Sequence, residues 1–206
     1  MPDRGTTVAS CFSRRALALG APALAAGALA RPARAEIVAA GRAPPLPHLI
    51  DVATASRAEG QPEASLAALD KALAAAIGHK LFTVLVINWA KNENQRFYTN
   101  QPGPYPTGGA KPLVRQGEFF QEVVLAGRPR ICRTYDDVKR AFFDHELIRS
   151  LGCESAVNYP VRWNGRTIGS LNLLHQAEWY RDGDMPALSA FAQMTVPALM
   201  EIVSRA

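Results

Sequence analysis

The segment Asp144–Ser155, DHELIRSLGCES, concentrates side chains that are able to do chemistry. Within twelve residues it holds an Asp, a His, two Glu and a Cys, the types that bind metal ions and carry acid–base or thiol reactions. A metal site here would need His145, Cys153 and the later His175 to converge. Divalent-metal sites usually contain close pairs such as C-x-x-C or H-x-x-x-H, and the sequence has none, so we expect no metal site. We interpret His145 as a polar helix residue and expect His175 to pair with Glu154 across two strands.

Cys132 and Cys153 are the two cysteines that follow the N-terminal segment. Two cysteines do not make a disulfide framework, and neither lies in a C-x-x-C motif. Free cysteines are among the most buried residues of folded proteins. We therefore expect two buried apolar thiols and assign no catalytic residue.

The net charge of +5 is carried mainly by the N-terminal segment. Residues 1–43 contain six Arg against two acidic residues, whereas the rest of the chain has 17 basic against 16 acidic residues. No local basic run in this nearly neutral body marks a phosphate-binding surface, so we predict no nucleic-acid partner. No apolar run is long enough to anchor the mature chain in a bilayer, so we predict no membrane anchor.

Residues 1–35 are typical of a bacterial twin-arginine export signal. Arg14-Arg15 precedes the apolar stretch Ala16–Ala30, and Ala33-Arg34-Ala35 resembles an A-x-A cleavage site. This pattern predicts a periplasmic protein. The alternative is that translation begins further downstream, which would leave the protein in the cytoplasm.

The rest of the chain is organised as a linker followed by one domain. Residues 36–59 include the Pro-rich stretch GRAPPLPHLI and are predicted to be a linker. Residues 60–206 form the domain, in which apolar residues at 3–4 spacing indicate helices and β-branched runs indicate strands. The predicted elements are a helix over 63–77, strands over 80–91 and 95–100, a Pro- and Gly-rich loop over 101–112, a helix over 117–127, a strand over 128–133 and a helix from Thr134 to Ser150.

A β-hairpin is predicted around the Asn-Gly dipeptide at 164–165, a strong signal for a tight turn between strands. With a two-residue turn, Trp163 faces Arg166, and the residue numbers of every facing pair sum to 329. This register places Asn158 opposite Leu171. Both faces of the hairpin are mostly apolar, so both are expected to be covered.

A C-terminal helix is predicted over 185–203, with a kink at Pro197 because proline removes a helical hydrogen bond. Its apolar seam steps by four and three residues and is expected to pack on the helix over 63–77 or on its own copy in a homodimer. The seam consists of Leu188, Ala192, Thr195, Leu199 and Ile202.

The sequence SLGCESAVNYPVRWNGRTIGSLNLLH resembles the core signature of a GAF domain. The signature has a leading Gly, a Ser, an apolar run ending in Pro-Val, an N/D-G turn and I-G-x-L-x-L. The preceding Gly127-Arg128-Pro129-Arg130-Ile131 resembles the family's entry to its middle strand. The matching positions are Gly152, Ser155, Val157, Pro160, Val161, Asn164, Gly165, Ile168, Gly169, Leu171 and Leu173.

The resemblance implies an α+β fold with an antiparallel sheet of five or six strands. The N- and C-terminal helices would cover one face, and short helices and loops the other. GAF domains are sensor modules that bind cyclic nucleotides, bilins, haem or small metabolites. The resemblance therefore implies a stand-alone sensory or regulatory module for an unidentified small molecule, with no cofactor identified and with dimerisation through the terminal helices.

Two other functions follow from the same resemblance. The first is a thiol-dependent enzyme similar to free methionine sulfoxide reductase, which needs a reactive Cys upstream of the signature strand. Arg149 stands near that position, Cys153 lies too late and Cys132 lies on another strand, so this alternative is disfavoured. The second is a partner-binding domain without a ligand. The motifs typical of cyclic-nucleotide and bilin binding are incomplete here.

A ligand pocket is predicted where the aromatic residues of the domain meet polar residues of the hairpin, because ligand sites are mostly apolar clefts with a few placed polar groups. The loop over 101–112 is expected either to close its mouth or to act only as a connector. The candidate walls are Tyr98, Phe119, Phe120, Phe142 and Phe143, and the candidate polar groups are His145, Asn158 and Asn172.

Overall fold

A six-stranded antiparallel sheet forms the centre of the molecule in the computed structural model, which describes residues 42–205. The strand order is β3-β2-β1-β6-β5-β4. Helices cover both faces, so the predicted α+β class is confirmed. The predicted export signal lies outside the described residues and stays a prediction. The strands are β1 (Leu81–Asn88), β2 (Glu93–Thr99), β3 (Lys111–Pro112), β4 (Arg130–Cys132), β5 (Ser155–Trp163) and β6 (Arg166–His175).

In residues 42–205, six α-helices, one π-helix and one 3₁₀ turn connect and cover these strands. Between β3 and β4 the chain forms a π-helix over Phe119–Leu125, and a single 3₁₀ turn spans Asp182–Asp184. The α-helices are α1 (Pro45–Ala55), α2 (Glu63–Ala76), α3 (Tyr135–Ala141), α4 (His145–Ser150), α5 (Met185–Met194) and α6 (Val196–Arg205).

The N- and C-terminal helices pack on one face of the sheet and enclose the main core with it. Strand side chains such as Phe82, Val157 and Leu171 meet Leu69 of α2 and Phe191 of α5 in this core, and all five are almost fully buried. The five seam residues predicted for the C-terminal helix are likewise buried within the chain. A dimer through the terminal helices would therefore have to use their other faces.

The predicted kink at Pro197 is present as a break between α5 and α6. The two helices meet at an angle of 41° around Thr195, and Pro197 is the second residue of α6. Proline is tolerated there because the first N–H groups of a helix have no intrahelical acceptor. Across residues 42–205, no single helix has the length and apolar character to cross a membrane; only this bent pair, taken together, meets that test.

The Pro-rich segment predicted as linker contains a helix. Residues 45–55 form α1, whose first residue is Pro45, and α1 packs along α2 with Val52 fully buried in the main core. Prolines are compatible with a first helical turn because their fixed φ suits it and their missing N–H is not needed there. The prediction of a plain connector over 36–59 was therefore wrong for this part of the chain.

The helix predicted from Thr134 to Ser150 is broken into α3 and α4. Its start is confirmed, since Thr134 caps α3 together with Asp137 in a reciprocal capping box. Phe142 then has extended backbone angles, φ −128° and ψ 124°, and ends α3. Asp144 starts α4 and accepts a hydrogen bond from the Tyr105 hydroxyl at 2.7 Å. The break leaves Phe142 between the two helices, on the face of the sheet opposite the terminal helices.

The hairpin of β5 and β6 contains a bulge that changes most of its predicted register. Arg162 faces Thr167 as predicted, but Val161 faces Gly169, so Ile168 is an extra residue in β6. From there to the open end, every pair is shifted by one residue. Asn158 therefore faces Asn172, and the predicted pairing of Asn158 with Leu171 was wrong.

The shifted register also removes the predicted pairing of His175 with Glu154. Ser155 is opposite His175, and Glu154 accepts a hydrogen bond from Arg149 Nε at 3.2 Å instead. The His175 ring stacks on Trp179, with the ring centroids 3.7 Å apart. Partial burial, reinforced by nearby basic side chains, lowers the pKa of His175 to about 4.

Gly169 lies where β6 passes under both β1 and α6, and alanine should not fit there. A Cβ at this position would lie 2.3 Å from the Leu85 carbonyl oxygen and 2.4 Å from Leu199 Cδ2. We expect Gly169→Ala to lower the free energy of unfolding by about 2 kcal/mol, since overpacking a core typically costs 1–3 kcal/mol. Urea denaturation measures this. Gly103→Ala, with no atom within 4 Å of the added Cβ, is the control and should change stability by less than about 0.5 kcal/mol.

The low pKa of His175 should make the protein less stable as the pH falls. An unfolded histidine titrates near pH ~6.5, so between this value and about 4 the unfolded state binds more protons than the folded state. Stability contributed by neutral His175 is present above pH ~6.5 and is lost progressively as the pH falls toward 4. The urea midpoint of the wild-type protein should fall as the pH is lowered across this range, and the midpoint of His175→Gln should fall less steeply. An equal loss of slope in His48→Gln would contradict the assignment.

Candidate functional site

A cavity of about 370 Å³ lies on the second face of the sheet. Its floor is formed by side chains of β1, β5 and β6, and its walls come from β4, the Pro-rich loop, the π-helix and the break between α3 and α4. The volume lies within the range of small-molecule sites in proteins. The 101–112 loop is thus a wall of the cavity as well as a connector.

A row of polar side chains crosses the floor of the cavity from strand to strand. Arg130 of β4 faces Asn158 of β5, Asn158 faces Asn172 of β6, and Asn172 faces Thr83 of β1. Residues directly opposite each other in a sheet share a face, so the ladder itself aligns these four side chains. We call these four residues the polar row.

Hydrogen bonds connect the polar row from end to end. Arg130 donates through Nε and Nη2 to Asn158 Oδ1 at 3.0 and 2.8 Å. Asn158 Nδ2 donates to Asn172 Oδ1 at 2.7 Å, and Asn172 Nδ2 donates to Thr83 Oγ1 at 3.3 Å. Ser170 adds a hydroxyl donor to Asn172 Oδ1 at 3.1 Å. Among the described residues no fully buried side-chain nitrogen or oxygen lacks a partner, so the two amides of the row are satisfied within the protein.

The direction of this hydrogen-bond chain is fixed by Arg130, because a guanidinium only donates. Asn158 must therefore turn its carbonyl oxygen to Arg130 and its NH₂ group to Asn172. Asn172 must in turn present its own carbonyl oxygen and direct its NH₂ group to Thr83. Thr83 Oγ1 accepts this bond, which leaves its hydroxyl hydrogen available to donate. One charge at the edge of the sheet thus orders both amides.

Arg130 lies between two aromatic rings at one end of the cavity. Its guanidinium carbon is 5.7 Å from the ring centroid of Phe119 and 5.3 Å from that of Phe142. The side chain is only 10% exposed, and burial lowers the pKa of the guanidinium from its ordinary value. Arginine remains charged in proteins, so a cation lies largely buried against the cavity.

Tyr105 connects the Pro-rich loop to the rest of the cavity wall. Its ring lies under the guanidinium of Arg96, with the guanidinium carbon 3.8 Å from the ring centroid. Arg96 Nη1 also donates to the Pro106 carbonyl at 2.9 Å, and the Tyr105 hydroxyl donates to Asp144. Burial and the hydrogen bond to Asp144 raise the pKa of Tyr105. These contacts hold the loop against β2 on one side and α4 on the other.

Five of the eight candidate residues from the sequence line this cavity, and they stay candidates for ligand contact. Asn158 and Asn172 are part of its floor, and Phe119 and Phe142 form its walls beside Arg130. Phe143 lies at the mouth, with 95% of its side chain exposed.

The other three candidates lie elsewhere in the fold. Tyr98 packs against the core on the helical face and donates to Asp70 Oδ2 at 2.8 Å. Phe120 is buried in a separate apolar cluster beneath the π-helix. The His145 ring hydrogen-bonds the Tyr135 hydroxyl at 2.9 Å and is not part of the cavity lining. Tyr98 and Phe120 were predicted from residue type, which does not specify the face of a strand or helix on which a side chain lies.

Sequence reasoning missed Arg130, Thr83, Arg96 and Tyr105. Arg130 had the clearest signal, since it is a charged residue in a strand that otherwise pairs with the apolar hairpin. Recognising its role required the register of β4 on β5, which no turn signal fixes. Tyr105 was missed because it lies in a loop whose prolines indicated only irregular structure.

The two thiols lie in an apolar cluster beside the cavity and not in its lining. Burial raises the pKa of Cys153 to about 11, with Lys80 acting in the opposite direction, and burial also raises the pKa of Cys132. In the described part of the chain, no three His, Cys, Asp or Glu side chains are close enough together to hold a metal ion. His145 and His175 have separate ring partners on different elements.

Comparison with known proteins identifies the family. The family model of the GAF domain matches residues 63–199, about two thirds of the chain. No curated protein matches the chain in sequence.

Solved structures of low sequence identity share the fold. The GAF domain of a phosphoenolpyruvate-protein phosphotransferase from Acinetobacter has 10% identity and a TM-score of 0.62, over 78% of this chain and 95% of that one. Residues 122 to 287 of a methyl-accepting chemotaxis protein have 17% identity and a TM-score of 0.57, over 76% and 98%. Free methionine-R-sulfoxide reductase from Neisseria meningitidis, solved with its substrate, has 19% identity and a TM-score of 0.56, over 78% and 88%.

Removing Asn158 should destabilise the protein because two neighbours lose their partner. In Asn158→Ala, Arg130 loses both of its hydrogen bonds to Oδ1 and Asn172 loses its shortest donor. We expect a loss of roughly 2–3 kcal/mol in urea unfolding, since hydrogen bonds to charged groups contribute 1.5–3 kcal/mol.

The matched control is Asn94→Ala. Asn94 also lines the cavity, but its side chain makes no hydrogen bond to the described residues. Its replacement should change stability by less than about 0.5 kcal/mol. Equal losses in the two variants would contradict the energetic importance of the polar row.

Proposed function

The chain belongs to the GAF domain family, and we propose that it is a sensory module whose small-molecule ligand occupies the cavity on the second face of the sheet. GAF domains are generally small-molecule-binding sensory modules. One of the structural neighbours is residues 122 to 287 of a methyl-accepting chemotaxis protein, and another is the GAF domain of a two-component sensor histidine kinase. These neighbours support a signalling context, while their low identity limits the comparison to the fold.

The observation that carries the proposal is the composition of the cavity. Apolar atoms form most of its surface, and an ordered polar row crosses its floor. Ligand sites combine an apolar lining with a few polar groups held in place. The polar row has this rigidity because each amide is fixed by the next, so its orientation toward a ligand requires no rearrangement.

The thiol-dependent alternative is opposed by the state of the two cysteines. The thiolate is the reactive form of cysteine, and reactive cysteines are partially exposed with a lowered pKa. Cys132 and Cys153 are both buried, and the pKa of each is raised. Neither thiol lines the cavity, so a substrate bound there would not contact either sulfur.

A homodimer through the terminal helices remains part of the proposal. Because the apolar seam of α5 and α6 is buried within the chain, the dimer contact would use exposed apolar residues. Leu46 and Ile50 on α1 are 67% and 58% exposed, and Met200 on α6 is 42% exposed. Native mass spectrometry in the experiment below also measures the oligomeric state.

Native mass spectrometry of protein purified from its source cell tests the proposed function. We expect the wild-type protein to retain a small molecule, and we expect Ala141→Phe to lose it because the new ring fills the cavity wall. Ala141 lies at the end of α3 and lines the cavity. Ala74→Phe on the exposed side of α2 is the matched control and should retain the molecule.

The proposed site is wrong if Ala141→Phe retains the molecule as well as the wild-type protein does, provided its melting temperature is unchanged. A wild-type protein that carries no small molecule and binds none of the probe compounds described below would instead favour a partner-binding domain.

A further inference from the structure

We propose that the ligand of this cavity is a small organic carboxylate with an apolar body, held by Arg130 through two parallel hydrogen bonds. The inference rests on the proposed function, because it assumes that the cavity is a binding site, and it specifies the chemistry of what binds. Three features of the structure carry it: the free donors of Arg130, the charge balance of the cavity, and the rings beside the guanidinium.

Arg130 uses only one edge of its guanidinium within the protein. Nε and Nη2 both donate to Asn158 Oδ1. Nη1 makes no hydrogen bond to any described residue, and its nearest carboxylate oxygen, Oε2 of Glu118, lies 3.9 Å away. The edge formed by Nη1 and the second hydrogen of Nη2 therefore presents two parallel donors. A planar carboxylate matches such a pair, and bidentate pairs of this kind are short and charge-assisted.

The charge of Arg130 is not balanced inside the cavity. The ionised side chains in the lining are Arg96, Arg130 and Asp144, two cations against one anion. Asp144 accepts from the Tyr105 hydroxyl, and Arg96 is held by the Tyr105 ring and the Pro106 carbonyl.

Glu118 is the remaining nearby anion, and it is a weak partner for Arg130. Its side chain is 74% exposed and its carboxylate is beyond hydrogen-bond distance, so water screens its charge. The Arg130 side chain, by contrast, is only 10% exposed. A largely buried cation gains most from an anion that arrives without water and completes its hydrogen bonds. The missing countercharge thus points to an anionic ligand.

The surroundings of Arg130 favour an anion that carries an apolar group. Phe119 and Phe142 flank the guanidinium, and Leu85, Val114 and Leu174 extend the apolar lining away from it. A carboxylate at the free edge would have its body between these side chains. Inorganic phosphate would bring extra charged oxygens into this apolar lining and has no apolar group to pack between these side chains.

Matched acid and amide probes test the charge requirement on the unmodified protein. The probes are phenylacetate against phenylacetamide, hexanoate against hexanamide, and inorganic phosphate, with binding measured by isothermal titration calorimetry after removal of any retained molecule. We expect at least one acid to bind roughly tenfold or more tightly than its amide, as a charge-assisted bidentate pair implies. We expect no binding of phosphate.

Variants of Arg130 test which residue reads the charge. Arg130→Gln should bring the affinities for acid and amide to within about threefold of each other. Arg130→Lys should lower the affinity for the acid, because lysine keeps the positive charge but lacks the two parallel N–H donors of a guanidinium. Arg128→Lys is the matched control, since Arg128 is exposed and pairs with Glu122 outside the cavity. Urea midpoints without ligand verify folding. Where an Arg130 variant fails to fold, the acid and amide comparison on the wild-type protein decides alone.

The outcomes separate this inference from the proposed function. If the amides bind as tightly as the acids, or if only phosphate binds, the inference that the ligand is a carboxylate is wrong, while the cavity is still a binding site. If no probe binds, the molecule retained in native mass spectrometry decides: a carboxylic acid supports the inference, and a neutral compound overturns it. If no molecule is retained and no probe binds, both proposals fail.

Discussion

One extra residue in the hairpin determines how the polar side chains of β5 and β6 pair. Ile168 has no partner in β5, so the pairing changes by one residue beyond it. Without this bulge, Asn158 would face Leu171, and Asn172 would point among the apolar side chains beneath the helices. A buried amide without a partner there would cost a few kcal/mol. The bulge instead brings both amides onto the cavity side, where each satisfies the other.

The buried charge of Arg130 and the order of the polar row depend on each other. A largely buried arginine is costly unless acceptors and ring faces compensate for its lost hydration. Asn158 supplies the acceptor, and Phe119 and Phe142 supply the ring faces. The arginine in return fixes the direction in which each amide points.

Phe142 lies in the cavity wall at the break where α3 ends, and the Tyr105–Asp144 hydrogen bond joins that break to the Pro-rich loop. Irregular segments therefore form the cavity walls, and the regular sheet on which they pack forms its floor.

The sequence predicted most of the helices and strands because the signals that specify them are local and strong. The Asn-Gly turn, the capping residue Thr134 and the helical spacing of α2 each specify their element through neighbouring residues. The site was harder, because it depends on events that local signals do not specify. A bulge changes which residues share a face. The adjacent Phe142 and Phe143 give the same sequence pattern whether the helix continues through them or ends there. Tyr98 and Phe120 were assigned to the cavity on residue type alone, and each belongs to a different apolar cluster.

The position of Arg130 at the margin of the sheet has an energetic consequence. β4 is an edge strand of three residues and pairs only with β5, and such short edges open at lower free energy than the centre of a sheet. The cation that orders the polar row therefore belongs to an edge strand, which detaches more easily than the central strands do. Detachment of β4 would release both amides from their fixed orientation, whereas an anion on Arg130 would add a tie between the strand and the cavity walls. Ligand binding at Arg130 and detachment of β4 are then thermodynamically linked, so that binding lowers the population of the detached state.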